Sequence, residues 1–152
     1  MKRLLRVLSV ACIAAAPMLL PATAAAQFAK PEDAVKYRQS ALTVMSNHFG
    51  RIAPVVRGQQ PYDAAQVKAD VAIVAMMSKL PWSAFGPGTE GGGAKPAVWS
   101  DNARFKQGQE RLHGDIAKLV AAADTGDLAQ VRTAYGADGA SCKACHDNFR
   151  NR

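Results

Sequence analysis

The sequence predicts an all-α fold, an antiparallel bundle of four helices. Four stretches carry apolar side chains at spacings of three and four residues, the period of a helix that packs on one side. Glycine and proline cluster between these stretches, and none of them shows the alternation typical of strands. Because only a short hinge joins the last two stretches, consecutive helices should pack antiparallel, at roughly 20°.

An export signal is predicted to precede the bundle. Residues 1–26 begin with basic side chains, continue with an apolar stretch and end in small residues, which is typical of a signal peptide cleaved before Gln27. Pro17 interrupts the apolar stretch, which is shorter than the roughly 20 residues of a membrane span. We therefore expect a periplasmic domain of residues 27–152 with no membrane anchor.

The exported part has the size of one domain and a mild positive charge. The chain has 152 residues and a formal net charge of +7, and loss of the signal leaves 126 residues with a charge of +4. A chain of this length forms one hydrophobic core. Because basic and acidic residues are interleaved, we expect a solvated surface and no nucleic-acid partner, while a docking face for an acidic redox partner stays open.

The first helix is predicted from Pro31 to about Gly50. Proline suits the first helical position, and the two acidic residues after it suit the positive end of the helix dipole. Arg38 is the one charged residue on the predicted buried face, so we expect it to need a buried anion. This face comprises Ala34, Arg38, Ala41, Leu42, Met45 and Phe49.

The second helix is predicted to start at its cap residue Asp63 and to end at Pro81. Residues 80–96 then form a loop rich in glycine and proline that nevertheless contains Trp82 and Phe85. Flexible linkers seldom carry large aromatic residues, so we expect an ordered loop that folds these rings over an apolar surface. The buried face of the second helix comprises Val67, Val71, Val74 and Ser78.

The third helix is predicted from Pro96 to about Ala123, and the fourth starts at Asp127 after the hinge residue Gly126. The buried face of the third helix comprises Leu112, Ile116, Leu119 and Ala123. The buried seam of the fourth comprises Leu128, Val131, Tyr135, Asp138, Cys142, Cys145 and Phe149. The last three positions of this seam should face the bundle interior.

The strongest functional signal is the segment Cys142-Lys143-Ala144-Cys145-His146, a C-x-x-C-H pattern typical of covalent haem attachment. On a helix the two thiols lie one turn apart on one face, where they can add to the two vinyl groups of a haem. The next imidazole can then bind the iron. The sequence thus predicts one haem c, with Cys142 and Cys145 as covalent anchors and His146 as the iron ligand.

Three other interpretations of the two cysteines are weaker. A structural zinc site needs four ligands, but no second pair exists and His48 and His113 are isolated. A thioredoxin-like redox pair requires strands alternating with helices. A disulfide that closes only two intervening residues would constrain little of the unfolded chain.

The position of the motif limits which residues could be the sixth ligand of the iron. Because only residues 147–152 follow His146, we expect any second ligand to come from an earlier helix or to be absent. The first helix is the natural neighbour across the haem, and its central buried residue, Leu42, cannot bind iron. Met45 lies one turn further and is the rival ligand. The other candidates are Met76, Met77, His48 and His113.

Together these residues resemble the cytochrome c′ family of class II c-type cytochromes, particularly its nitric-oxide-binding members from denitrifying and related bacteria. The resemblance covers essentially the whole exported chain and implies an up-down-up-down bundle. It rests on Tyr37-Arg38-Gln39, Asn47-His48-Phe49-Gly50, Pro81-Trp82-Ser83-Ala84-Phe85-Gly86 and the final Cys-Lys-Ala-Cys-His.

The resemblance also implies residue roles. His146 would be the sole protein ligand of a pentacoordinate high-spin iron, and Leu42 would shield the distal face. Arg38 and Gln39 would contact the haem propionates. Arg150 would lie beside the proximal pocket, on the helix face of His146, unless it is an ordinary solvated arginine. Two further residues, Trp82 and Phe85, would pack near the haem, although composition alone makes them equally good core residues.

The expected function is gas binding with electron exchange rather than catalysis. An open iron position behind an apolar wall favours nitric oxide and carbon monoxide over dioxygen. By resemblance, a gas displaces Leu42, and nitric oxide then weakens the iron bond to His146 and ends near Arg150. The alternative is a six-coordinate low-spin electron carrier with Met45 as second ligand. The resemblance further implies a homodimer through the first two helices; the redox partner is unknown.

Overall fold

A computed structural model describes residues 27–151, and four long helices within this range form the predicted bundle. The predicted signal peptide, residues 1–26, lies outside the described residues. No helix between residues 27 and 151 is long and apolar enough to cross a membrane. The helices are α1 (Pro31–Val56), α2 (Ala64–Met77), the short α3 (Ala97–Ser100), α4 (Asn102–Thr125) and α5 (Leu128–Phe149), with a 3₁₀ turn at Pro81–Phe85.

Helix α1 is longer than its sequence predicts. It passes Gly50 and ends at Val56, because Ile52 and Val55 are buried in the core and extend the apolar face. Pro54 lies in the last turn of α1. Because proline has no N–H, one helical hydrogen bond is lost there, and the burial of Ile52 and Val55 offsets this loss. The chain leaves the helix at Gly58, whose φ of 73° is readily available only to glycine.

Helix α2 begins as predicted and ends four residues before Pro81. The Asp63 side chain accepts a hydrogen bond from the backbone N–H of Gln66, which confirms its role as N-cap. After Met77, the Leu80 N–H bonds to the Met77 carbonyl and tightens the chain into the 3₁₀ turn. This turn carries the predicted loop aromatics into the core.

The third predicted helix is broken at Asp101, whose backbone (φ −119°, ψ 50°) is not helical. The break folds α3 against α4 and α5, where Val98 is buried. Gly126, with φ 71°, ends α4, and the Asp127 carboxylate caps α5 by accepting from the Ala129 N–H.

Three apolar clusters fill the bundle from one end to the other. The first, at the turn between α4 and α5, contains Ile52, Val55, Val56, Val67, Val71, Leu119, Ala122, Ala123 and Val131. The central cluster is formed by Val74, Leu112 and Ile116. The aromatic cluster is formed by Val98, Phe105 and Phe149, with Trp82, Phe85 and Trp99 packed against them. The last two clusters are the ones that meet the cysteines of α5.

Candidate haem-binding site

The C-terminal half of α5 presents both cysteines to the bundle interior. Cys142 is half-buried against the central cluster, and Cys145 is half-buried against the aromatic cluster one turn further. Both thiols are free. His146, the next residue, is exposed beside them. The helix therefore supplies two adjacent thiols and an available imidazole, the residue set for covalent haem attachment.

The electrostatics of His146 favour the form that binds iron. Partial burial of the imidazole, followed by the neighbouring Arg150 cation, lowers the pKa of His146, and the negative charge of Asp147 opposes this shift. The lowered pKa favours neutral imidazole near pH 7, and neutral imidazole is the metal-binding form.

A pocket of about 430 Å³ opens next to this imidazole. Its wall is made by the end of α5 and by the loop before α3. Lys95 donates a hydrogen bond from Nζ to the backbone carbonyl of Asp147, 2.9 Å away. The lining residues are Lys95, Lys143, His146, Asp147, Arg150 and Asn151.

Arg150 lies on an extended segment rather than on the helix. Helix α5 ends at Phe149, and Arg150 has φ −115° and ψ 134°, so the prediction that it continues the helix face of His146 is wrong. The reason is pairing with the loop, because the Lys95 N–H bonds to the Phe149 carbonyl and Ala94 bridges to Arg150. Arg150 nevertheless lines the pocket together with His146, and its place beside a haem stays a prediction.

Arg38 is buried, but backbone carbonyls rather than an anion satisfy it. Its Nη1 donates to the carbonyls of Ala84 at 2.6 Å and Thr89 at 2.7 Å, and its Nη2 donates to Gly91 at 2.8 Å. The guanidinium also lies 4.5 Å from the centre of the Phe85 ring. The expectation that Arg38 needs a buried anion is therefore corrected, because the loop carbonyls accept its protons. A propionate contact stays a prediction.

The remaining predicted residues of α1 lie along the same helix. Gln39 is exposed beside the loop, and a Cβ on Gly92 would lie 3.0 Å from its amide nitrogen. Gly92 has φ 59°, so this close approach depends on glycine. Leu42 is half-buried, and Met45 packs against the central cluster.

The prediction of an ordered loop is confirmed by the packing of Trp82 and Phe85. Their rings lie 5.7 and 5.1 Å from that of Phe105, which in turn lies 5.3 Å from Phe149. The Trp82 indole N–H donates to the carbonyl of Ser78. These aromatic contacts hold the loop against the end of α5 that carries Cys145.

The Cytochrome C' family model matches residues 33–150. This chain belongs to the cytochrome c′ family. Membership accounts for the four-helix bundle and for the position of the C-x-x-C-H segment on α5.

Curated relatives and solved structures agree with this assignment. Cytochrome c' of Alcaligenes xylosoxydans xylosoxydans is 65% identical over 126 residues, covering 83% of this chain and 99% of the relative. Cytochrome c' of Rubrivivax gelatinosus is 50% identical over 129 residues, covering 83% of this chain and 100% of the relative. A solved nitric oxide complex of a leucine-to-alanine mutant of cytochrome c prime from Alcaligenes xylosoxidans is 63% identical, with a TM-score of 0.81 over 83% of this chain and 99% of that one.

Members of the cytochrome c′ family carry covalently bound haem c, and haem c is the cofactor of this chain. The residues present fit that group. Gly108 of α4 faces Cys145, and a Cβ there would already lie 3.7 Å from its Sγ. The small residue leaves space beside a thiol that must accept a bulky substituent. The adjacent neutral imidazole suits the iron.

Asp138 lies in the predicted seam of α5, and no functional role is predicted for it from the sequence. It is 1% exposed, and its carboxylate lies 3.9 Å from the Cys142 Sγ. Burial, followed by the negative charge of Asp115, raises the pKa of Asp138 to about 7, while the hydrogen bond from Cys142 opposes them. A carboxylate inside an otherwise apolar seam is the sequence signal that could have singled it out.

Asp138 should make this protein less stable as pH rises. Its pKa is about 7 when folded against 3.8 as the reference value, so the folded state binds the proton more tightly. The cost of the buried acid is absent below pH 3.8 and complete above pH 7, on the order of 4 kcal/mol. Urea unfolding of the ferric holoprotein should lose more stability between about pH 5 and pH 8 than the Asp138→Asn variant does. Identical pH profiles would contradict this expectation.

Proposed function

We propose that this protein is a periplasmic haem c protein whose iron is held by His146 as the sole protein ligand, binds nitric oxide and carbon monoxide, and exchanges electrons. The observation that carries the proposal is that the two other histidines, His48 and His113, already make hydrogen bonds within the protein. The His48 Nδ1 lies 2.6 Å from the Asp70 carboxylate. The His113 Nε2 lies 3.0 Å from the carbonyl oxygen of Ser78. These hydrogen bonds fix the orientation of each ring, so neither imidazole can turn toward the iron without losing its partner.

Two of the methionines, Met45 and Met76, support the same conclusion. Met76 is 62% exposed on the surface of α2, directly before Met77. Met45 packs as an apolar side chain against the central cluster, where its thioether contributes to the core. Leu42, one turn before Met45, presents only a hydrocarbon side chain. The open position opposite His146 would thus face an apolar residue.

The haem supplies an iron that binds diatomic gases and changes its charge by one on reduction. Cys142 and Cys145 hold the haem covalently, and His146 binds the iron in its neutral form. Leu42 excludes water from the other side and offers no hydrogen-bond donor, which disfavours dioxygen relative to nitric oxide and carbon monoxide. The nitric oxide complex of the Alcaligenes xylosoxidans relative, solved for a leucine mutant, supports this assignment.

Arg150 and the loop complete the proposed site. Arg150 places a cation beside His146 in the proximal pocket, where it would meet a gas that reaches this side. Gln39 is exposed at the loop edge, where it would donate to a haem propionate, and Arg38 beside it would use the N–H groups that the loop carbonyls do not take. Trp82 and Phe85 would pack near the haem through the cluster they share with Cys145.

A six-coordinate electron carrier is the second candidate function. The observation that favours it is that Met45 and Cys142 pack against the same central cluster. A shift of the Met45 side chain would then bring its sulfur to the iron in place of a gas. Such a protein would transfer electrons without binding carbon monoxide.

The absorption spectra of the purified holoprotein separate these two functions. We expect a high-spin ferrous spectrum that changes when nitric oxide or carbon monoxide is added. A sharp low-spin ferrous spectrum that carbon monoxide leaves unchanged would overturn the proposal in favour of Met45 ligation.

Shortening Leu42 should accelerate gas binding. In Leu42→Ala the side chain no longer has to be displaced, and we expect carbon monoxide association to rise roughly tenfold, which corresponds to about 1.4 kcal/mol of barrier. Stopped-flow mixing of ferrous protein with carbon monoxide measures this rate. The same substitution at Leu80, 37% exposed after α2, is the matched control and should leave the rate unchanged. An unaltered rate in Leu42→Ala would rule out steric shielding by Leu42.

We also propose a homodimer through α1 and α2. Two large apolar side chains, Val44 on α1 and Met76 on α2, are 40% and 62% exposed, which supports burial of these helices against a second copy.

A further inference from the structure

Asp138 is a buried acid beside the covalent anchor of the haem. It lies on α5 one turn before Cys142 and is 1% exposed. Its Oδ1 accepts a long hydrogen bond from the Cys142 thiol, at 3.9 Å. Thioether formation removes that thiol proton. The carboxyl group then faces a sulfur that can no longer donate, which favours a proton on Asp138 itself.

The charged and hydrogen-bonding groups around Asp138 come from α4 and α5. On α4, Asp115 adds a negative charge, although it is itself paired with Lys118 at 2.8 Å and influenced by Arg111. Ser141 of α5 donates to the other oxygen of Asp115. Burial and the Asp115 charge raise the pKa of Asp138, so that neutral and ionised forms coexist near pH 7.

The rest of the surroundings is apolar or neutral. On α5, Tyr135 interacts with Asp138, and burial raises its own pKa, which keeps the phenol neutral. The centres of the Tyr135 and Phe49 rings lie 4.2 Å apart, and Phe49 belongs to α1. The Phe49 ring also lies next to Gly139, since a Cβ added there would be 3.9 Å from it. In this low-dielectric setting a charge on Asp138 acts on nearby charges more strongly than a surface charge would.

We propose that Asp138 is a proton-binding site coupled to the haem, taking up a proton when the iron is reduced and releasing it when the iron is oxidised. The inference rests on the proposed electron exchange and on haem attachment through Cys142. On reduction, a one-electron donor gives one electron to the ferric haem, and the Asp138 carboxylate takes one proton from solvent. On oxidation the electron and the proton leave again, so the net charge of haem and carboxyl together is unchanged.

Coulomb's law gives the order of magnitude of the expected effect. Two unit charges about 10 Å apart, a separation chosen only to set the scale, at an effective dielectric constant of about 20 interact enough to change a proton affinity on the order of tenfold between two oxidation states. For a one-electron couple a tenfold change equals about 59 mV. The reduction potential should therefore fall by about this amount as the pH rises through the titration of Asp138.

The test is spectroelectrochemical titration of the holoprotein from about pH 5 to pH 9, a range that brackets the titration of Asp138. In Asp138→Asn this fall in potential should disappear, leaving only the part due to other groups such as the propionates. Asp127→Asn is the matched control, because Asp127 is an exposed cap at the other end of α5 and asparagine also caps helices. Its curve should follow the unchanged protein. Equal curves for the unchanged protein and Asp138→Asn would overturn the proposal.

A second variant keeps the test decisive if Asp138→Asn does not fold. Asp115→Asn removes the negative charge that raises the pKa of Asp138, so the fall in potential should move to lower pH. Redox-difference infrared spectra should show the carbonyl band of a protonated carboxylic acid that responds to oxidation and shifts with this variant. If neither the potential curve nor the band shifts, Asp138 is not the coupled site. The spectra also report the spin state, so low-spin iron would reject gas binding while leaving the proton test valid.

Discussion

Replacing both Cys142 and Cys145 by alanine should abolish covalent haem attachment. The two half-buried thiols face the interior from one side of α5, and no other free cysteine is found among the described residues. Without their sulfur atoms no thioether can form, so haem that still binds through His146 should be removed by denaturation. Mass spectrometry of the unfolded protein measures this directly, and we expect only polypeptide mass.

Lys143, which lies between the two cysteines, provides the control. Lys143 lies on the same turn with a 76% exposed side chain that pairs with Asp147 on the surface. Lys143→Ala should retain full haem mass, since surface ion pairs contribute little. The single variant Cys142→Ala should retain haem through Cys145 alone. Covalent haem on the double variant would refute the assignment of these anchors.

Arg38→Ala should destabilise the holoprotein by about 3 kcal/mol, because three carbonyls of the loop lose a charged donor at once. The guanidinium joins α1 to Ala84, Thr89 and Gly91 and covers the Phe85 ring, so its loss should also loosen the loop. Urea unfolding followed by circular dichroism measures the change in free energy. Hydrogen exchange of residues 84–91 should increase in parallel.

Two further variants separate the contacts of Arg38 from its charge. Arg38→Lys keeps the charge but cannot direct several donors in one plane, so an intermediate loss is expected. Lys36→Ala removes an exposed cation from the same helix and should change stability by less than about 0.5 kcal/mol. If Arg38→Ala were as mild as Lys36→Ala, the loop would be held by its aromatic packing alone.

Local chemistry explains why most of the bundle could be predicted. Asp63 and Asp127 cap helices because their carboxylates accept backbone N–H groups within three residues, which is a property of the local sequence. Gly126 ends α4 for a similarly local reason. Where prediction failed, tertiary packing decided. Burial of Ile52 and Val55 carries α1 past Gly50.

The sequence by itself determined the helical class, the covalent anchors and the imidazole that follows them, because a five-residue motif on a helix brings its own groups together. Only the tertiary structure decided that Arg38 meets carbonyls 46 to 53 residues away. It also decided that the negative charge of Asp115 lies near Asp138 and raises its pKa. Such contacts join residues far apart in the chain, so local periodicity carries no information about them. The packing of the loop on α1 sets those of Arg38, and the packing of α4 on α5 sets that of Asp138.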